Sequence, residues 1–214
     1  MKRYPPYILV ILMLVWAGEL FAIPYFEVNN KFGVAKLYNP SANFSIQSTD
    51  ITTSAPGPIT GTGFFYERLF FSQFAVGYQY FNNLERNVTA TEVGSVISIH
   101  DVGVYSALDF KAYLSNHKTG GFKFYLGAGQ GTFAVSTEVT TRTTSGGITN
   151  NTIEAKIPLT YTSFGMDWFR MYSNIGFRLE GAQVESTYQE YITDYGVQYS
   201  YTGMSYLFSF FLLF

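Results

Sequence analysis

The chain has 214 residues, of which 47% are hydrophobic, 19% are aromatic and only 13% are charged. It contains no cysteine, which excludes disulfide frameworks and thiolate metal sites, and its net charge of −2 argues against a nucleic-acid partner. Beyond the N-terminus, no run approaches the roughly 18 apolar residues of a membrane-spanning helix. The apolar residues must therefore alternate along strands, as they do in membrane β-barrels.

The first 22 residues predict a cleavable secretory signal. A basic start precedes an apolar core over residues 7–17, and small residues follow it. We place the cleavage after Ala22, with cleavage after Gly18 as the first alternative and a retained membrane anchor as the second. Residues 23–214 then form a single domain by their length.

Eight strands are predicted in that domain, joined alternately by long polar segments and by tight turns. The predicted strands cover residues 31–38, 59–69, 74–81, 96–114, 122–139, 152–169, 175–191 and 197–214. The segments 39–58, 82–95 and 140–151 are rich in small polar residues and are predicted to be long loops, and a fourth, shorter loop follows the seventh strand. Long extracellular loops and short periplasmic turns are typical of membrane barrels, so both termini are expected on the periplasmic side.

The strands alternate between an apolar and a polar face. In the fourth strand, Leu108 and Phe110 share one face, whereas Asp109 and Lys111 share the other. This pattern predicts apolar side chains towards lipid and polar side chains inside. A soluble barrel of the lipocalin kind, which is the alternative, would reverse the two faces.

The facing and pairing of three strands stay open. In the first strand, either the set Phe32, Val34 and Tyr38 or the intervening residues could face lipid. Pro158 cannot donate to a ladder, which predicts a local bulge in the sixth strand. The alternation of the eighth strand switches near Gly203, which predicts either a bulge or an upper end that has left the membrane.

Five charged residues of the predicted inner face form the first candidate site. They are Glu67, Asp109, Lys111, Arg178 and Glu180. The interior of an eight-stranded barrel is just wide enough to be filled by side chains, and an unpaired buried charge costs several kcal/mol. We therefore predict a paired network that plugs the barrel. A narrow gated ion path is the alternative, and the strand count excludes a wide pore.

The last strand carries a dense aromatic stripe at every second residue. Its members are Tyr206, Phe208, Phe210, Leu212 and Phe214. An exposed strand edge of this kind invites aggregation, and closing the sheet removes the edge. We therefore expect this strand to close a transmembrane barrel by pairing with the first strand.

The glycine-rich strand 125–131, the strand segment 177–180 and the aromatic end at Phe214 resemble small outer-membrane β-barrels of the OmpA/OmpX/OmpW type. The resemblance covers essentially the whole domain, and it is architectural rather than catalytic. It implies an eight-stranded antiparallel up-and-down barrel in the bacterial outer membrane. It also implies two partners: outer-membrane lipids, and an assembly machinery that recognises the terminal aromatic strand. There are two departures from the family pattern. Gln130 is a polar residue on the lipid face, and Phe211 and Leu213 make the inner face of the last strand more apolar than the pattern expects.

Ser98 and His100 share a parity with the lipid-facing residues and are similar to the serine and histidine of outer-membrane lipid A deacylases. That family carries His-x-Ser, however, whereas the order here is Ser-x-His. The sequence also shows no carboxylate at an obvious spacing to orient the imidazole, as a hydrolase needs. We therefore expect His100 to have no catalytic role.

The sequence thus predicts a non-enzymatic, monomeric outer-membrane protein with no cofactor or metal. Its role would be structural, or surface contact through the long loops. A narrow channel for ions or small apolar solutes is the alternative, and a lipid A-modifying enzyme is the third hypothesis. An aromatic girdle on the periplasmic side is predicted from Phe70, Phe71, Tyr113, Trp168, Phe169 and Tyr172.

Overall fold

A computed structural model describes residues 30–48, 52–71, 73–92, 94–116, 120–169, 174–192, 195–200 and 202–214. The predicted signal at residues 1–22 and its cleavage site lie outside these ranges, as do Tyr172 of the predicted girdle and most of the connections at 117–119 and 170–173. None of the residues described belongs to a helix that is long and apolar enough to cross a bilayer.

The described chain forms ten strand segments that build one ring. They are β1 (Asn30–Ser48), β2 (Thr52–Phe70), β3 (Phe74–Glu92), β4 (Ser95–Tyr113), β5 (Gly121–Thr143), β6 (Ile148–Phe169), β7 (Ile175–Glu185), β8 (Thr187–Ile192), β9 (Tyr195–Ser200) and β10 (Gly203–Leu213). The segments β1 to β7 pair antiparallel in sequence order, β9 pairs with β8 and with β1, and β10 pairs with β7 and with β1. Because β7 continues into β8, and β9 into β10, the ten segments form eight barrel strands. The predicted up-and-down eight-stranded barrel is therefore confirmed.

The ring closes where the eighth barrel strand meets β1. Its ladder runs from Lys31↔Leu213 to Tyr38↔Tyr206. At the end of this ladder, which is called the lower end of the barrel from here on, the Asn30 N–H donates to the Phe214 carbonyl at 2.7 Å. The Phe214 N–H donates back to the Asn30 carbonyl at 3.0 Å. The closure expected from the aromatic last strand is confirmed, and it leaves no open edge among the described strands in the membrane-facing part of the wall.

The strands are strongly tilted. Following paired residues once around the ring from Met204 leads back to the eighth strand at Phe214, ten residues further along the chain. The intermediate partners are Gln183, Thr162, Ala128, Phe110, Val76, Arg68 and Asn30. A stagger of this kind accompanies a strand tilt of about 35–45° in closed barrels.

An apolar belt surrounds the lower half of the barrel. Its residues alternate along every strand and are exposed to the outside, and they include Phe32, Val34, Phe64, Val76, Leu108, Phe124, Leu126, Phe164, Leu179, Phe208 and Phe210. All five residues of the terminal aromatic stripe belong to it. The first strand therefore directs Phe32, Val34 and Tyr38 outwards, which decides between the two facings that the sequence left open.

Above the belt, the polarity of the two faces reverses. In β4, Ile97 and Ile99 are buried inside while Ser98 between them is exposed. In β6, Ile157 is buried inside while Glu154 and Lys156 are exposed outside. Apolar-in and polar-out is the pattern of a sheet in water, so this upper extension of the wall lies beyond the lipid. Gln130, which faces outwards as predicted, lies near the boundary, in a groove of about 630 Å³.

The predicted long loops are wrong, because most of their residues continue the strands. Within 39–58, β1 continues to Ser48 and β2 begins at Thr52, while β3 and β4 fill most of 82–95 and β5 and β6 fill most of 140–151. The tips of two hairpins are joined, since the Thr144 N–H and hydroxyl both donate to the Gly94 carbonyl at 2.9 and 3.0 Å. The polar composition that indicated loops belongs to strands whose outer face contacts water.

The predicted bulge at Pro158 is also wrong. The ladder between β5 and β6 runs through Thr132↔Pro158 without a change of register. Bulges occur instead in β3 between Phe81 and Leu84, where Asn83 has a φ of 51°, and in β1 after Asn39. The eighth strand is interrupted between Ser200 and Gly203, close to the predicted switch, and Gly203 has a φ of 121° that suits glycine.

Candidate functional site in the barrel interior

The structure places all five predicted inner charges inside the lower barrel and joins them. Glu67, Asp109, Lys111, Arg178 and Glu180 are each at most 5% exposed. They come from β2, β4 and β7, on residues that face inwards by strand alternation. Since such charges must be paired to be tolerated at this depth, their mutual geometry decides what the site can do.

Arg178 lies between two carboxylates. Its Nη1 and Nη2 donate to the two carboxylate oxygens of Glu67 at 2.5 and 2.7 Å, which is a bidentate pair. Its Nε donates to Asp167 Oδ1 at 2.7 Å, and Nη2 also reaches Asp167 Oδ2 at 2.9 Å. The planar guanidinium therefore fixes β2, β6 and β7 relative to one another across the lumen.

Lys111 connects the remaining members. Its Nζ lies 2.5 Å from Glu67 Oε1, 2.8 Å from Asp109 Oδ2 and 3.0 Å from Glu180 Oε2. Gln79 Nε2 donates a further hydrogen bond to Asp109 Oδ2 at 3.0 Å. Glu67 thus accepts from both Arg178 and Lys111, and the five predicted residues form one connected cluster.

Four further residues belong to this cluster and were not predicted as part of it. Lys31 forms an ion pair with Asp167 and donates to the Tyr113 hydroxyl at 2.7 Å. The Tyr113 hydroxyl donates to Asp167 Oδ2 at 2.9 Å, and the Tyr125 hydroxyl donates to Glu180 Oε2 at 2.7 Å. With the five predicted charges, these residues are called the charge plug below.

The placement of Tyr113 and Phe169 in the aromatic girdle is wrong, because both are buried inside the barrel. Tyr113 and Phe169 are odd-numbered residues of β4 and β6, as are the inward-facing Asp109 and Asp167. This shared alternation is the sequence signal that places both rings inside the barrel. Lys31 was missed because the facing of the first strand was undecided in the sequence. Trp168, in contrast, faces outwards and stacks on Phe177 with ring centroids 5.3 Å apart.

Aromatic rings line the walls around the charges. The Arg178 guanidinium lies 4.4 Å from the centroid of Phe65, 5.1 Å from that of Tyr125 and 6.0 Å from that of Phe211. Cations are attracted to the faces of aromatic rings, most strongly where water is excluded. The greasy inner Phe211, a departure from the family pattern, is therefore part of the packing around the plug.

Glycines make the space that the plug occupies. A Cβ at Gly77 would overlap Asp109 Oδ1, and a Cβ at Gly129 would overlap the ring of Tyr161. The shared parity of glycines and charges in the sequence therefore has a steric cause. Bulky side chains at the inner positions of one strand require small residues at the facing positions of its neighbour.

Above the plug, the interior is filled with apolar side chains. Phe81, Leu84, Ile99, Phe133 and Ile157 belong to one buried cluster. Between plug and cluster, a cavity of about 10 Å³ is lined by Gln79, Tyr161, Glu180 and Ser205 among others. This volume is about enough for a single water molecule. In the part of the chain that the structure describes, the lumen is therefore occluded at both levels.

A separate ion pair lies in the upper interior. Arg86 Nε donates to Asp101 Oδ2 at 2.7 Å, and the Thr137 hydroxyl donates to Asp101 Oδ1 at 2.6 Å. The pair joins β3, β4 and β5 within surroundings that are otherwise apolar. Sequence reasoning did not identify this pair, because the bulge in β3 changes the facing of Arg86.

His100 and Ser98 lie on the outer face of the upper extension, above the belt. The structure places Glu138 directly opposite His100 in the neighbouring strand, a carboxylate that the sequence spacing did not show. The imidazole Nδ1, however, lies 2.5 Å from Asn87 Oδ1. Among Ser98, His100 and Glu138, all within the described residues, no hydrogen bond or ion pair forms. The described residues also contain no group of His, Asp and Glu side chains suited to a metal ion.

Known proteins of similar architecture identify the fold. No protein-family model matches the sequence, and no curated protein sequence matches it significantly. Among solved structures, the outer membrane protein OprG from Pseudomonas aeruginosa superposes with a TM-score of 0.58 at 10% identity, over 87% of this chain and 95% of that chain. The Yersinia pestis attachment invasion locus protein Ail covers 88% of this chain and 100% of its own, with a TM-score of 0.46 and 8% identity.

The chain has the fold of a small outer-membrane β-barrel. At these identities the likeness concerns the fold alone. The apolar belt of this outer-membrane barrel is therefore its lipid-facing surface, and the charge plug lies inside its membrane-spanning part.

Proposed function

We propose that the protein is a non-enzymatic outer-membrane barrel whose closed lower half anchors a rigid β-sheet extension outside the membrane for contact with other molecules. The observation that carries this proposal is the occluded lumen. The charge plug fills the membrane-spanning interior, and the apolar cluster fills the interior above it. Since the described residues leave no continuous internal path, the accessible features of this part of the molecule are its lipid-facing belt and its extended upper wall.

The upper wall is well suited to such a role. Its strands continue beyond the belt with an apolar core of their own, and the tips of two hairpins are hydrogen-bonded to each other through Thr144 and Gly94. A surface of this kind is pre-ordered, so that binding to it loses little conformational entropy. The contact surface is therefore formed by strands and tight hairpins rather than by the long loops expected from the sequence.

Electrical recording tests the closed barrel. The purified protein in planar lipid bilayers is expected to give no conductance steps above the lipid background. Steps that depend on the protein and change when Lys111 is replaced by Gln would contradict the proposal and support the narrow ion path instead.

Surface labelling tests the exposed extension. The chain has no cysteine, so single cysteines can be placed at will. A membrane-impermeant maleimide added to intact cells should label Thr144→Cys at a hairpin tip. It should not label Phe71→Cys in a lower turn, although both react after the outer membrane is permeabilised. Labelling of Phe71→Cys alone in intact cells would reverse the proposed orientation.

The proposed partners are outer-membrane lipids around the belt and the assembly machinery that inserts the barrel. The closed ladder between β1 and β10 supports a monomer, because the described strands of the lipid-facing wall present no unpaired edge. Sedimentation in detergent should therefore give the mass of one chain at micromolar concentration.

A further inference from the structure

One stretch of the upper wall lacks a hydrogen-bonded neighbour. On one side, β6 pairs with β5 continuously from Ile148↔Arg142 to Phe169↔Gly121. On its other side, the ladder between β6 and β7 ends at Thr160↔Glu185. Among the described strands, β8 pairs only with β9. A seam without a ladder therefore runs upwards between β6 and β8, above Pro158.

The backbone groups that face this seam can be assigned. Successive residues of a strand direct their N–H and C=O groups to opposite neighbours. The Thr143 N–H donates to Gly147 across the hairpin, so that the odd-numbered residues of β5 and β6 pair with each other. The even-numbered residues of β6 therefore point to the seam. Above Thr160 they are Ile148, Asn150, Thr152, Glu154, Lys156 and Pro158.

The foot of the seam agrees with this assignment. The Pro158 carbonyl accepts a hydrogen bond from the Ser186 hydroxyl at 2.6 Å, across the junction between β7 and β8. Proline has no N–H, so its place on the unpaired side of β6 removes no ladder bond. Pro158 and Ser186 together mark the point at which the sixth and seventh barrel strands separate.

We propose that the β6 edge over residues 148–156 binds an extended segment of another polypeptide by strand addition. An unpaired row of N–H and C=O groups on a sheet edge is a template for a further strand. The proposal rests on the surface-contact role proposed above and names the kind of partner. The foot formed by Pro158 and Ser186 fixes where the added strand must stop.

The side chains of β6 specify the chemistry of that segment. On the inner face, Ile153, Ala155 and Ile157 pack inside the upper barrel, so the added strand should carry apolar residues at alternate positions. On the outer face, Glu154 and Lys156 are exposed and of opposite charge. The intervening residues of the partner should therefore be polar, with charges that complement this pair. About nine residues would cover the edge, at roughly 3.3 Å per residue.

Lipid is a poor occupant of the same seam. The seam lies above the belt, and its outer neighbours are charged, so that water solvates the free backbone groups until a strand replaces it. A second copy of this chain is also disfavoured. Two barrels standing upright in one membrane would bring their tilted β6 strands together at a large crossing angle, not side by side.

The test uses a synthetic peptide with the sequence of residues 133–141, the segment of β5 that pairs with β6 on its other edge. A scrambled peptide without alternation is the control. Residue-resolved amide hydrogen exchange is measured on the folded protein in micelles. Without peptide, the amides of Asn150, Thr152, Glu154 and Lys156 should exchange at least tenfold faster than those of their odd-numbered neighbours. With the peptide, but not with its scrambled control, they should slow at least tenfold.

A matched pair of variants isolates the edge. Thr152→Pro removes one seam N–H and leaves the ladder with β5 complete, so it should weaken peptide binding at least tenfold. Thr152→Ala keeps the N–H and should bind like the native protein. Odd-numbered amides that stay protected in both variants show that the barrel is folded.

Three results would overturn the proposal. The first is even-numbered amides that are already as protected as the odd-numbered ones, because the seam would then be closed. The second is a Thr152→Pro variant that binds the peptide as well as Thr152→Ala does. The third is protection that rises with protein concentration alone, which would make a second copy the occupant. Conductance of the barrel is a separate measurement, so failure of the closed-barrel function is distinguishable from failure of the edge.

Discussion

At the scale of single residues, Arg178 organises the interior. It is the one member of the charge plug that contacts two carboxylates through three of its nitrogens, and three aromatic rings surround it. Arginine suits this position because its fork matches a carboxylate with two parallel hydrogen bonds and stacks on aromatic faces. A buried ion pair is weak evidence for stability as such, but breaking one leaves an uncompensated charge.

The variant Arg178→Ala should therefore be strongly destabilised. Removing the guanidinium leaves only Lys31 and Lys111 to compensate the four buried carboxylates of the plug. The expected loss is about 3–5 kcal/mol in the free energy of unfolding, measured by urea titration in lipid vesicles. Lys156→Ala, a cation exposed on the upper extension, is the control and should change the free energy by less than about 0.5 kcal/mol. Equal urea midpoints for the two variants would contradict the proposed role of Arg178 in stabilising the barrel interior.

The plug shows which residues a sequence can reveal. Arg178, Glu180, Asp109 and Lys111 are charges at alternate positions of clearly amphipathic strands, so their shared face is visible without a structure. Asp167 lies near the end of a strand whose last two residues are both aromatic. Trp168 faces outwards and Phe169 faces inwards, and the neighbouring sequence does not distinguish these two directions. The pairing of each carboxylate with a cation depends on the stagger of the strands around the ring. The sequence of one strand does not determine that stagger.

His100 has a carboxylate beside it in the structure, yet its surroundings still argue against catalysis. Its Nδ1 lies against the Asn87 side chain, and the histidine is on the water-facing extension, away from the acyl chains in the belt. We expect His100→Ala to insert normally and to leave lipid A unchanged, as judged by mass spectrometry of lipid A from expressing cells. Loss of an acyl chain with the native protein, but not with His100→Ala or Ser98→Ala, would establish a deacylase.

At the scale of strands, the reversal of polarity within one strand is the main feature. β5 carries Phe124 and Leu126 on its outer face in the belt, then Gln130 and Thr132 at the boundary, and Ser136 and Glu138 above it. The inner face changes in the opposite sense. The pleat is continuous through this change, so the even-numbered side chains of β5 point outwards at every height. The surrounding solvent accounts for whether those side chains are apolar or polar.

A matched pair in β5 tests where the lipid ends. Leu126 lies in the belt and Ala134 lies eight residues further up on the same outer face, and both are exposed. Leu126→Lys should cost roughly 2–4 kcal/mol of folding free energy in vesicles, because a lysine near mid-bilayer faces hydrocarbon. Ala134→Lys should cost no more than about 1 kcal/mol. Similar losses for the two variants would place the upper extension in the membrane.

The same reversal explains which elements were mispredicted. Alternation within the belt identified the strands correctly, because lipid makes one face strongly apolar. In 82–95 and 140–151, many of the outer residues that the structure describes are threonine and asparagine, which are equally common in loops. The apolar inner residues there are sparse and, in β3, displaced by a bulge. These segments form strands because they pair with long neighbouring strands, and this pairing is not visible in a single sequence.

At the scale of the whole molecule, the barrel depends on the closing ladder between β1 and β10. Eight register pairs and the reciprocal hydrogen bonds of Asn30 and Phe214 seal the wall. An open seam at this height would leave N–H and C=O groups in hydrocarbon, at several kcal/mol for each group. The contrast with the seam beside β6 is physical: water reaches the upper edge, whereas lipid surrounds the lower one.

The last strand should therefore determine whether the protein assembles. Deleting Phe214 removes both hydrogen bonds to Asn30 and the terminal aromatic residue that the family resemblance links to the assembly machinery. Replacing Phe210 and Leu212 together by Asp puts charge into the belt while leaving the ladder register unchanged. Both variants are expected to assemble slowly and to leave unfolded protein in the periplasm. Replacing Leu212 by Phe keeps the stripe apolar and serves as the control.

Outer-membrane fractionation and the gel mobility of unheated against boiled samples measure the outcome. The native protein and the Leu212→Phe control should show a heat-shifted folded band in the outer membrane. The Phe214 deletion and the double Asp variant should show that band at clearly lower yield. Normal yield for the double Asp variant would contradict the lipid facing of the stripe. Normal yield for the deletion alone would instead show that the ladder above Asn30 is sufficient for closure, so that the terminal pair contributes little to assembly.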